Sequence, residues 1–365
     1  MQTSSEIING LLRKRPVERM GLNDSPWGDT LAKWAAEEGY PRNESGQHAD
    51  PVDVFGFDMV CCGGWFDPLP LRGKDEVLEE TDEWIVRRNG AGAALKQWKH
   101  KSGTPEHVDF RMTSRDVWDR DYRHHLLGAE RGRLDVDGSK RELARRRAER
   151  RWTYFGSLGF WEVMRCSMGD ICMFESLLLD PAWIHDFNRV YTDFFKAHYK
   201  ILIEEAGKPD GVWLYEDLGF SKGLFCSPSA LETLIFPYYK ELVDFFHGYD
   251  LPVVLHSCGG ITNAIELIVG AGFDALNPME VKAGCDVVAF ARKYGDRLAF
   301  VGGMDARVFE SGDRQRIRTE VVRLCTSIKD IGARYVFGSD HSISPNVKLG
   351  DFRYAIDVYK ENMMY

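Results

Sequence analysis

The chain has 365 residues, 44% of them hydrophobic and 12% aromatic, so it can bury a large core as one α/β domain or two smaller ones. Its 47 Lys and Arg against 56 Asp and Glu give a formal net charge of -9, which disfavours nucleic acid and anionic membranes as partners. There is no signal-peptide pattern, no run of 18 apolar residues and no framework-like cysteine spacing, so we expect a cytoplasmic protein with reduced thiols.

The first half of the chain has an irregular pattern. Residues 1–50 are interpreted as an N-terminal extension, and "VDVFGFDMV" (52–60) predicts a strand whose "FGFD" portion ends on Asp58. Residues from about 70 to 150 are rich in insertions: "DEVLEETDEWIVRRN" and "HVDFRMTSRDVW" predict a β-rich insertion over one mouth of the domain. The stretch "SKRELARRRAERR" predicts a solvated helix whose glutamates alternate with its arginines, not a nucleic-acid site.

The second half repeats one theme: a short β-rich run, a polar cluster and an amphipathic helix. One such helix is expected to begin after Ser227 as N-cap, with Pro228 at its first position. Because strands that alternate with helices pair in parallel through crossovers, the chain either opens into a doubly wound sheet or closes into a barrel. The five runs end on Glu216 and Asp217, on His256 and Cys258, on Asn277 and Glu280, on Asp305, and on Asp340 and His341.

The length favours the barrel, because eight β/α units need about 250 residues and the excess fits an extension plus insertions. We therefore predict one α/β domain over 1–365, a single (β/α)8 TIM barrel. In that fold the reactive groups gather at the C-terminal ends of the strands, where the five polar clusters lie. A dinucleotide-binding fold would need G-x-G-x-x-G between a strand and a helix, and the sequence has none in such a context.

The pair His256-x-Cys258 is the strongest candidate for a metal site. Residues i and i+2 of an extended segment point to the same side, so both side chains can reach one ion. A closed barrel would bring Glu280, Asp340 and His341 to the same mouth. Imidazole, thiolate and carboxylate suit zinc and leave one tetrahedral position for an exchangeable group.

Four segments of the second half resemble one known family. They are "PYYKELVDFFHGYDLPVVLHSCGGI", "DALNPMEVKAG", "LAFVGGMD" and "GSDHSISPNV", and they are similar to the uroporphyrinogen decarboxylase superfamily, in particular its methyltransferase-like branch. The resemblance implies a single (β/α)8 barrel. The decarboxylases of this superfamily carry an N-terminal R-Q-A-G-R-Y motif, whereas the corresponding region here reads "RKRPVERMGLNDSPW". Porphyrinogen decarboxylation is therefore disfavoured.

The other branch consists of zinc methyltransferases that work with corrinoid proteins. Their metal is held by H-x-C and a later cysteine, and a related methionine synthase adds a glutamate between them. By this resemblance His256, Cys258 and Glu280 are metal ligands. The later cysteine is missing, and His341 stands in its place, either as the last ligand or as a proton donor.

Four further residues are assigned to the same rim. Asp217 and Asp305 are predicted to bind substrate or to orient the ligands, with helix N-capping as the alternative for each aspartate. Asp58 and Asn277 are predicted at the cofactor-binding part of the rim.

The resemblance implies methyl transfer between a small methylated substrate or thiol and a corrinoid (cobalamin) carried by a partner protein, with zinc as Lewis acid. Two alternatives stay open. One is a cofactor-free decarboxylase or lyase that uses Arg111, Arg115 or Arg307 as its anion grip, and the other is a non-catalytic barrel that binds a tetrapyrrole or corrinoid. Homodimerisation is an expectation taken from the superfamily alone.

Overall fold

The structure, a computed structural model, describes residues 2–101, 103 and 105–365. The strands of this part are β1 Gly21–Leu22, β2 Met59–Cys61, β3 Asp75–Glu80, β4 Trp84–Asn89, β5 Ala94–Trp98, β6 Glu106–Asp109, β7 Trp152–Leu158, β8 Gly211–Tyr215, β9 Gly219–Phe220, β10 Gly223–Leu224, β11 Val253–Ser257, β12 Ala275–Pro278, β13 Ala299–Val301 and β14 Tyr335–Phe337. The α-helices are α1 Ser4–Leu12, α2 Gly28–Glu37, α3 Pro51–Phe55, α4 Arg115–Val117, α5 Val136–Ala148, α6 Phe160–Leu179, α7 Pro181–Ala206, α8 Pro228–Ala230, α9 Phe236–Gly248, α10 Ile265–Gly270, α11 Val287–Tyr294, α12 Ala306–Glu310, α13 Arg314–Ile331 and α14 Leu349–Asn362. Short 3-10 or π-helical turns cover Trp118–Tyr122, Arg123–Leu126, Arg131–Arg133, Leu231–Ile235, Thr262–Ala264 and Val281–Ala283.

Eight of the strands form one parallel sheet that curves into a barrel. Their order around it is β1, β14, β13, β12, β11, β8, β7 and β2. The two edge strands approach each other, because the backbone N–H of Asp58 donates a hydrogen bond to the carbonyl oxygen of Leu22 at 2.7 Å. The predicted α/β class and the TIM barrel are confirmed.

Apolar side chains form two cores. The larger core lies between the strands and the surrounding helices, and includes the fully buried Trp161 of α6 and Tyr239 of α9. The smaller core fills the barrel interior, where Ile8 and Leu11 of α1 pack with side chains such as Trp152. Since Trp152 begins β7, α1 closes the N-terminal end of the barrel and leaves the C-terminal end for a site.

The insertion between β2 and β7 is β-rich, as expected. Strands β3 to β6 form a four-stranded antiparallel sheet, and α5 follows it with Asp135 as N-cap. The insertion is attached to the barrel by Phe110, whose ring occupies the space beside Gly169, where α6 kinks with a φ of +75°. Gly103 and Pro105 of the insertion line the cavity described below.

The prediction of a strand over 52–60 is wrong for most of that range, because a helix covers Pro51–Phe55. Asp50 caps α3, with Pro51 in the first turn, and Gly56 ends the helix in the left-handed conformation with a φ of +78°. The strand β2 begins only at Met59, so Asp58 stands at its N-terminal end. None of the helices in the described part of the chain combines the length and the apolarity that a membrane crossing requires.

Candidate functional site

The register of the barrel sheet sets three polar or aromatic side chains side by side. His256 of β11 lies opposite Tyr215 on β8 and opposite Asn277 on β12. Since neighbouring strands lie about 4.8 Å apart, side chains in register on one face are in contact. The ring centroids of Tyr215 and His256 are 5.2 Å apart, and Nδ1 of His256 lies 2.6 Å from Oδ1 of Asn277.

His256, Cys258 and Asp217 form a cluster at the C-terminal ends of β11 and β8. One ligand atom from each lies within 4.8 Å of the other two. The Sγ of Cys258 is 3.4 Å from Nε2 of His256, and an Oδ1 of Asp217 is 3.9 Å from the same nitrogen. This arrangement is held by the backbone, because the amide of Cys258 donates to Oδ1 of Asp217 at 3.0 Å.

The spacing of the His256 nitrogen and the Cys258 sulfur fits a tetrahedral zinc ion. With Zn–N bonds of about 2.1 Å and Zn–S bonds of about 2.3 Å, tetrahedral angles put these two ligands about 3.6 Å apart. The 3.9 Å between Oδ1 of Asp217 and Nε2 of His256 is longer than the roughly 3.4 Å of a tetrahedral site, so the carboxylate would move inward on binding. Burial lowers the pKa of His256, which keeps its imidazole neutral as a ligand must be. Burial also raises the pKa of Cys258 well above its usual range, and the charges of Asp217 and Glu280 add to the effect. A bound cation would reverse this electrostatic penalty.

Asn277 fixes the orientation and the tautomer of His256. Its Nδ2 donates to the carbonyl oxygen of Val301 at 2.9 Å, so its Oδ1 faces His256 and accepts from Nδ1. The proton of a neutral His256 is therefore on Nδ1, and Nε2 keeps its lone pair toward Cys258 and Asp217. Asn277, predicted as a cofactor-binding residue, touches the histidine of the cluster.

We expect Asn277→Leu to weaken zinc binding by about 10- to 100-fold, because the imidazole loses the acceptor that orients it. Competition with a coloured chelator measures the affinity, and nitrogen chemical shifts of His256 in the metal-free protein report its tautomer. Asn263→Leu, at an exposed position, is the matched control. Equal zinc affinities of the two variants would contradict the positioning role.

Glu280 lies beside the cluster but outside its group of ligand atoms. Its Oε2 accepts a hydrogen bond from the backbone N–H of Gly259 at 2.7 Å, and Lys282 lies 3.1 Å from Oε1. Gly259 has a φ of +83°, and a Cβ there would come within 2.2 Å of the backbone of Gly219. Glu280 thus stabilises the turn that carries Cys258, and its predicted role as a metal ligand stays a prediction.

His341 faces the same cavity as the cluster without joining it. Its ring packs edge-on against Trp27 with centroids 5.5 Å apart, and its Nδ1 makes only a long contact of 3.4 Å with the carbonyl oxygen of Ser342. Asp340, the preceding residue, accepts hydrogen bonds from the amides of Val281 and Ala306 and so joins three strand-end loops. His341 is thus held at the cavity wall with an imidazole nitrogen free of strong contacts within the described chain.

Two predicted site residues do not line the cavity among the described residues. Asp305 caps α12 and forms a two-pronged ion pair with Arg307, both at 2.8 Å, and it is absent from the described lining of the cavity. Asp58 lies at the opposite end of the barrel, where it accepts from both terminal nitrogens of Arg19. Its place follows from the late start of β2, so the prediction that it belongs to the rim is corrected.

The cavity at this mouth has a volume of about 840 Å³. Sequence reasoning missed two acids in its wall, Asp24 and Glu162. Burial raises the pKa of Asp24 to about 6, and both of its oxygens accept hydrogen bonds from Ser339. Asp24 lies just after β1, as the predicted polar clusters lie after their strands, but a strand of two residues is too short to show an alternating pattern in the sequence. Glu162 lies in the first turn of α6, so a search for polar residues at strand ends does not find it.

Comparisons with known proteins agree with this architecture. The family model described as uroporphyrinogen decarboxylase (URO-D) matches residues 165–362. The curated uroporphyrinogen decarboxylase of Pseudomonas putida (strain GB-1) is 32% identical over 126 residues, which are 33% of this chain and 34% of that protein. The match therefore spans about a third of the length of that relative. A solved methyltransferase from Methanosarcina mazei has a similar fold, with a TM-score of 0.66 and 14% identity over 99% of both chains.

The fold and the site define a (β/α)8 barrel whose C-terminal mouth carries a histidine, a cysteine and an aspartate within reach of one ion. The family model matches more than half of the sequence, so the chain belongs to the uroporphyrinogen decarboxylase family. The predicted superfamily is confirmed.

Proposed function

We propose that the chain is a zinc-dependent methyltransferase that moves a methyl group between a small methylated substrate or thiol and a corrinoid carried by a partner protein. The observation that carries the proposal is the convergence of His256, Cys258 and Asp217 on one point at the mouth of the barrel. Thiolate and imidazole ligands favour zinc over magnesium or calcium, which prefer oxygen.

In this proposal His256 Nε2, Cys258 Sγ and a carboxylate oxygen of Asp217 hold the metal. Asp217 takes the part that the family resemblance gives to a later cysteine, and Glu280 and Asn277 hold the ligands in place. Zinc in a three-ligand site supplies Lewis-acid chemistry, which polarises a substrate heteroatom or keeps a substrate thiol ionised.

The residues of the cavity have separate tasks. When a methyl carbon leaves its heteroatom, the heteroatom keeps the bonding electron pair and needs a proton. His341 supplies this proton, because it is the histidine of the described cavity lining that does not belong to the cluster. Asp24, whose pKa is about 6, lies beside Ser339 in the same wall and can exchange that proton near neutral pH.

Decarboxylation of a porphyrinogen is the second candidate, because the curated relative carries that name. The charges of the cavity do not favour it. The arginines of the described lining, Arg145 and Arg146, accompany four acids, Asp24, Asp50, Glu142 and Glu162. Arg146 is already paired with four carboxylates. A substrate with eight carboxylates would meet net negative charge.

Methyl transfer to cobalt tests the proposal. Zinc-loaded protein is mixed with cobalamin reduced to cobalt(I) and with methyl ethers, methylamines or methyl thioethers, and the absorbance of methylcobalamin is followed. The reverse reaction starts from methylcobalamin and a thiol. We expect turnover in one direction, lost at least about 100-fold in His256→Ala. No turnover in either direction, together with carbon dioxide release from uroporphyrinogen by metal-free protein, would establish the decarboxylase instead.

A further inference from the structure

A groove on the outside of the barrel lies between the insertion and α6. The insertion lines it with four successive residues, from His107 to Phe110, and α6 lines it with residues that include Ile171 and Leu179. Its volume is about 720 Å³. Pro105, which lines the cavity at the barrel mouth, directly precedes β6, so this strand leads from the cavity into the groove.

The groove exposes large apolar side chains. Ile171 is 77% exposed, Leu179 is 81% exposed and Val108 is 54% exposed. A single exposed apolar residue is ordinary on a protein surface, but several that line one groove form a patch, and such patches mark binding sites. The groove therefore has an apolar surface that the described part of the chain leaves uncovered.

One wall of the groove is the edge of a sheet. The insertion sheet has the strand order β3, β4, β5, β6, so β6 is an edge strand that pairs with β5 alone among the described strands. Side chains alternate between the two faces of a strand, yet His107, Val108 and Asp109 all line the groove, which indicates that β6 meets it with its edge. An edge strand presents unpaired backbone N–H and C=O groups that pair with another extended chain.

Charge limits the kind of chain that fits. In the described lining Asp109, Asp170, Glu175 and Asp180 are acidic, and none of the residues is Lys or Arg. Three of these acids pair with arginines outside the lining, at 2.8, 3.0 and 3.8 Å, whereas Glu175 forms no ion pair within the described chain. These carboxylates favour a ligand that carries Lys or Arg and disfavour an acidic one.

A second copy of this chain fits the edge poorly. Symmetric antiparallel pairing of β6 with the β6 of a copy would place Glu106 opposite Asp109. Like charges directly opposite each other destabilise a sheet, and the acidic linings of the two grooves would also approach each other. The occupant that the charges favour is therefore a different protein with a basic segment.

We propose that the groove binds an extended segment of a partner protein in which Lys or Arg alternates with Val, Ile or Leu. The segment adds a fifth strand to the insertion sheet beside β6. Its apolar side chains pack against Ile171 and Leu179, and its basic side chains lie among the carboxylates of the lining. In strand addition of this kind the main-chain hydrogen bonds provide affinity, and the side chains provide specificity. The inference goes beyond the proposed function and does not depend on zinc.

Fluorescence anisotropy of a labelled peptide, Lys-Val-Lys-Val-Lys-Val-Lys, titrated with the full chain tests the inference. We expect this peptide to bind at least about tenfold more tightly than Glu-Val-Glu-Val-Glu-Val-Glu, because the lining is acidic. Two further versions of the basic peptide carry methyl groups on alternate backbone nitrogens, one version for each edge of the strand. The version that blocks the edge facing β6 should bind about tenfold more weakly, because it loses the main-chain hydrogen bonds.

Variants at exposed positions locate the peptide. Leu179→Ser should weaken binding of the basic peptide about fivefold, and Glu175→Lys about tenfold, because they remove apolar contact and reverse a charge. The matched controls are Leu127→Ser, at an apolar residue that is 60% exposed, and Glu44→Lys, at an exposed acid. Both controls lie outside the described lining and should change binding less than about twofold.

Several results would overturn the inference: no saturable binding of the basic peptide, equal binding of the acidic one, or no loss with either methylated version. Equal effects of Leu179→Ser and Leu127→Ser would do the same, since the peptide would then lie elsewhere. Sedimentation of the chain alone is measured at the same concentrations. A dimer that Leu179→Ser dissociates would assign the groove to a second copy instead of a basic partner.

Discussion

Cys258→Ala is expected to reduce zinc from about one ion per chain to a trace amount, because a site of three ligands that loses its thiolate binds zinc too weakly to survive purification. Elemental analysis of protein purified without added metal measures this. Cys226→Ala is the matched control, since Cys226 is a partly buried free cysteine that belongs to no cluster in the described chain.

The same measurement separates the ligand sets. Asp217→Ala should lose zinc almost as completely as Cys258→Ala, whereas His341→Ala should keep it, because only Asp217 has its ligand atom within the cluster. Glu280→Gln should lose part of its zinc. The amide oxygen of the glutamine can still accept the hydrogen bond from the N–H of Gly259, but the negative charge near the cluster is gone. Full zinc in Asp217→Ala with loss in His341→Ala would show that His341 is the third ligand.

Arg19→Met is expected to destabilise the barrel by about 3–5 kcal/mol, since it leaves the charge of Asp58 buried without its partner. The side chain of Asp58 is only 2% exposed and also accepts from the hydroxyl of Ser4 and the amide of Leu22. The hydrogen bonds of Asp58 raise the pKa of Arg19, so the arginine is charged at any working pH. Urea unfolding followed by circular dichroism gives the free energy of unfolding.

Two variants make this prediction specific. Arg87→Met breaks an exposed pair with Asp75 and should change the free energy of unfolding by at most about 1 kcal/mol. Arg19→Met combined with Asp58→Asn should be more stable than Arg19→Met alone, because no charge is then left unpaired in the core. A cost for Arg19→Met no larger than that for Arg87→Met would show that water reaches Asp58.

The two ends of the barrel have different roles: the N-terminal end stabilises the fold, and the C-terminal end carries the candidate site. At the N-terminal end Asp58, Arg19 and α1 join the first strands and close the interior. At the C-terminal end ligand atoms of Asp217, His256 and Cys258 lie within 4.8 Å of one another at the mouth of the barrel. Polar groups satisfied within the protein stabilise a fold, and groups directed into a cavity with free lone pairs bind ligands.

The sequence alone determined the alternation of strands and helices, the barrel, and the chemistry of the strand ends in the second half. These features are local: His256 and Cys258 lie on one side of an extended segment because side chains alternate along it. The helix start at Ser227 and Pro228 is local for the same reason, and the structure places it as predicted.

Only the tertiary structure decided which strand ends meet and which end a residue occupies. The contact between His256 and Asn277 depends on the register between strands, and so does the place of Asp217, and not Glu280, in the cluster. The pattern along one strand does not contain this register. Asp58 lies at the N-terminal end of the barrel, opposite to its predicted place, because residues 51–55 form a helix and the strand begins only at Met59. The ring contacts of Tyr154 with Trp213 and of Trp65 with Tyr215 join β7, β8 and the loop after β2, so their physical cause is packing between segments far apart in the chain.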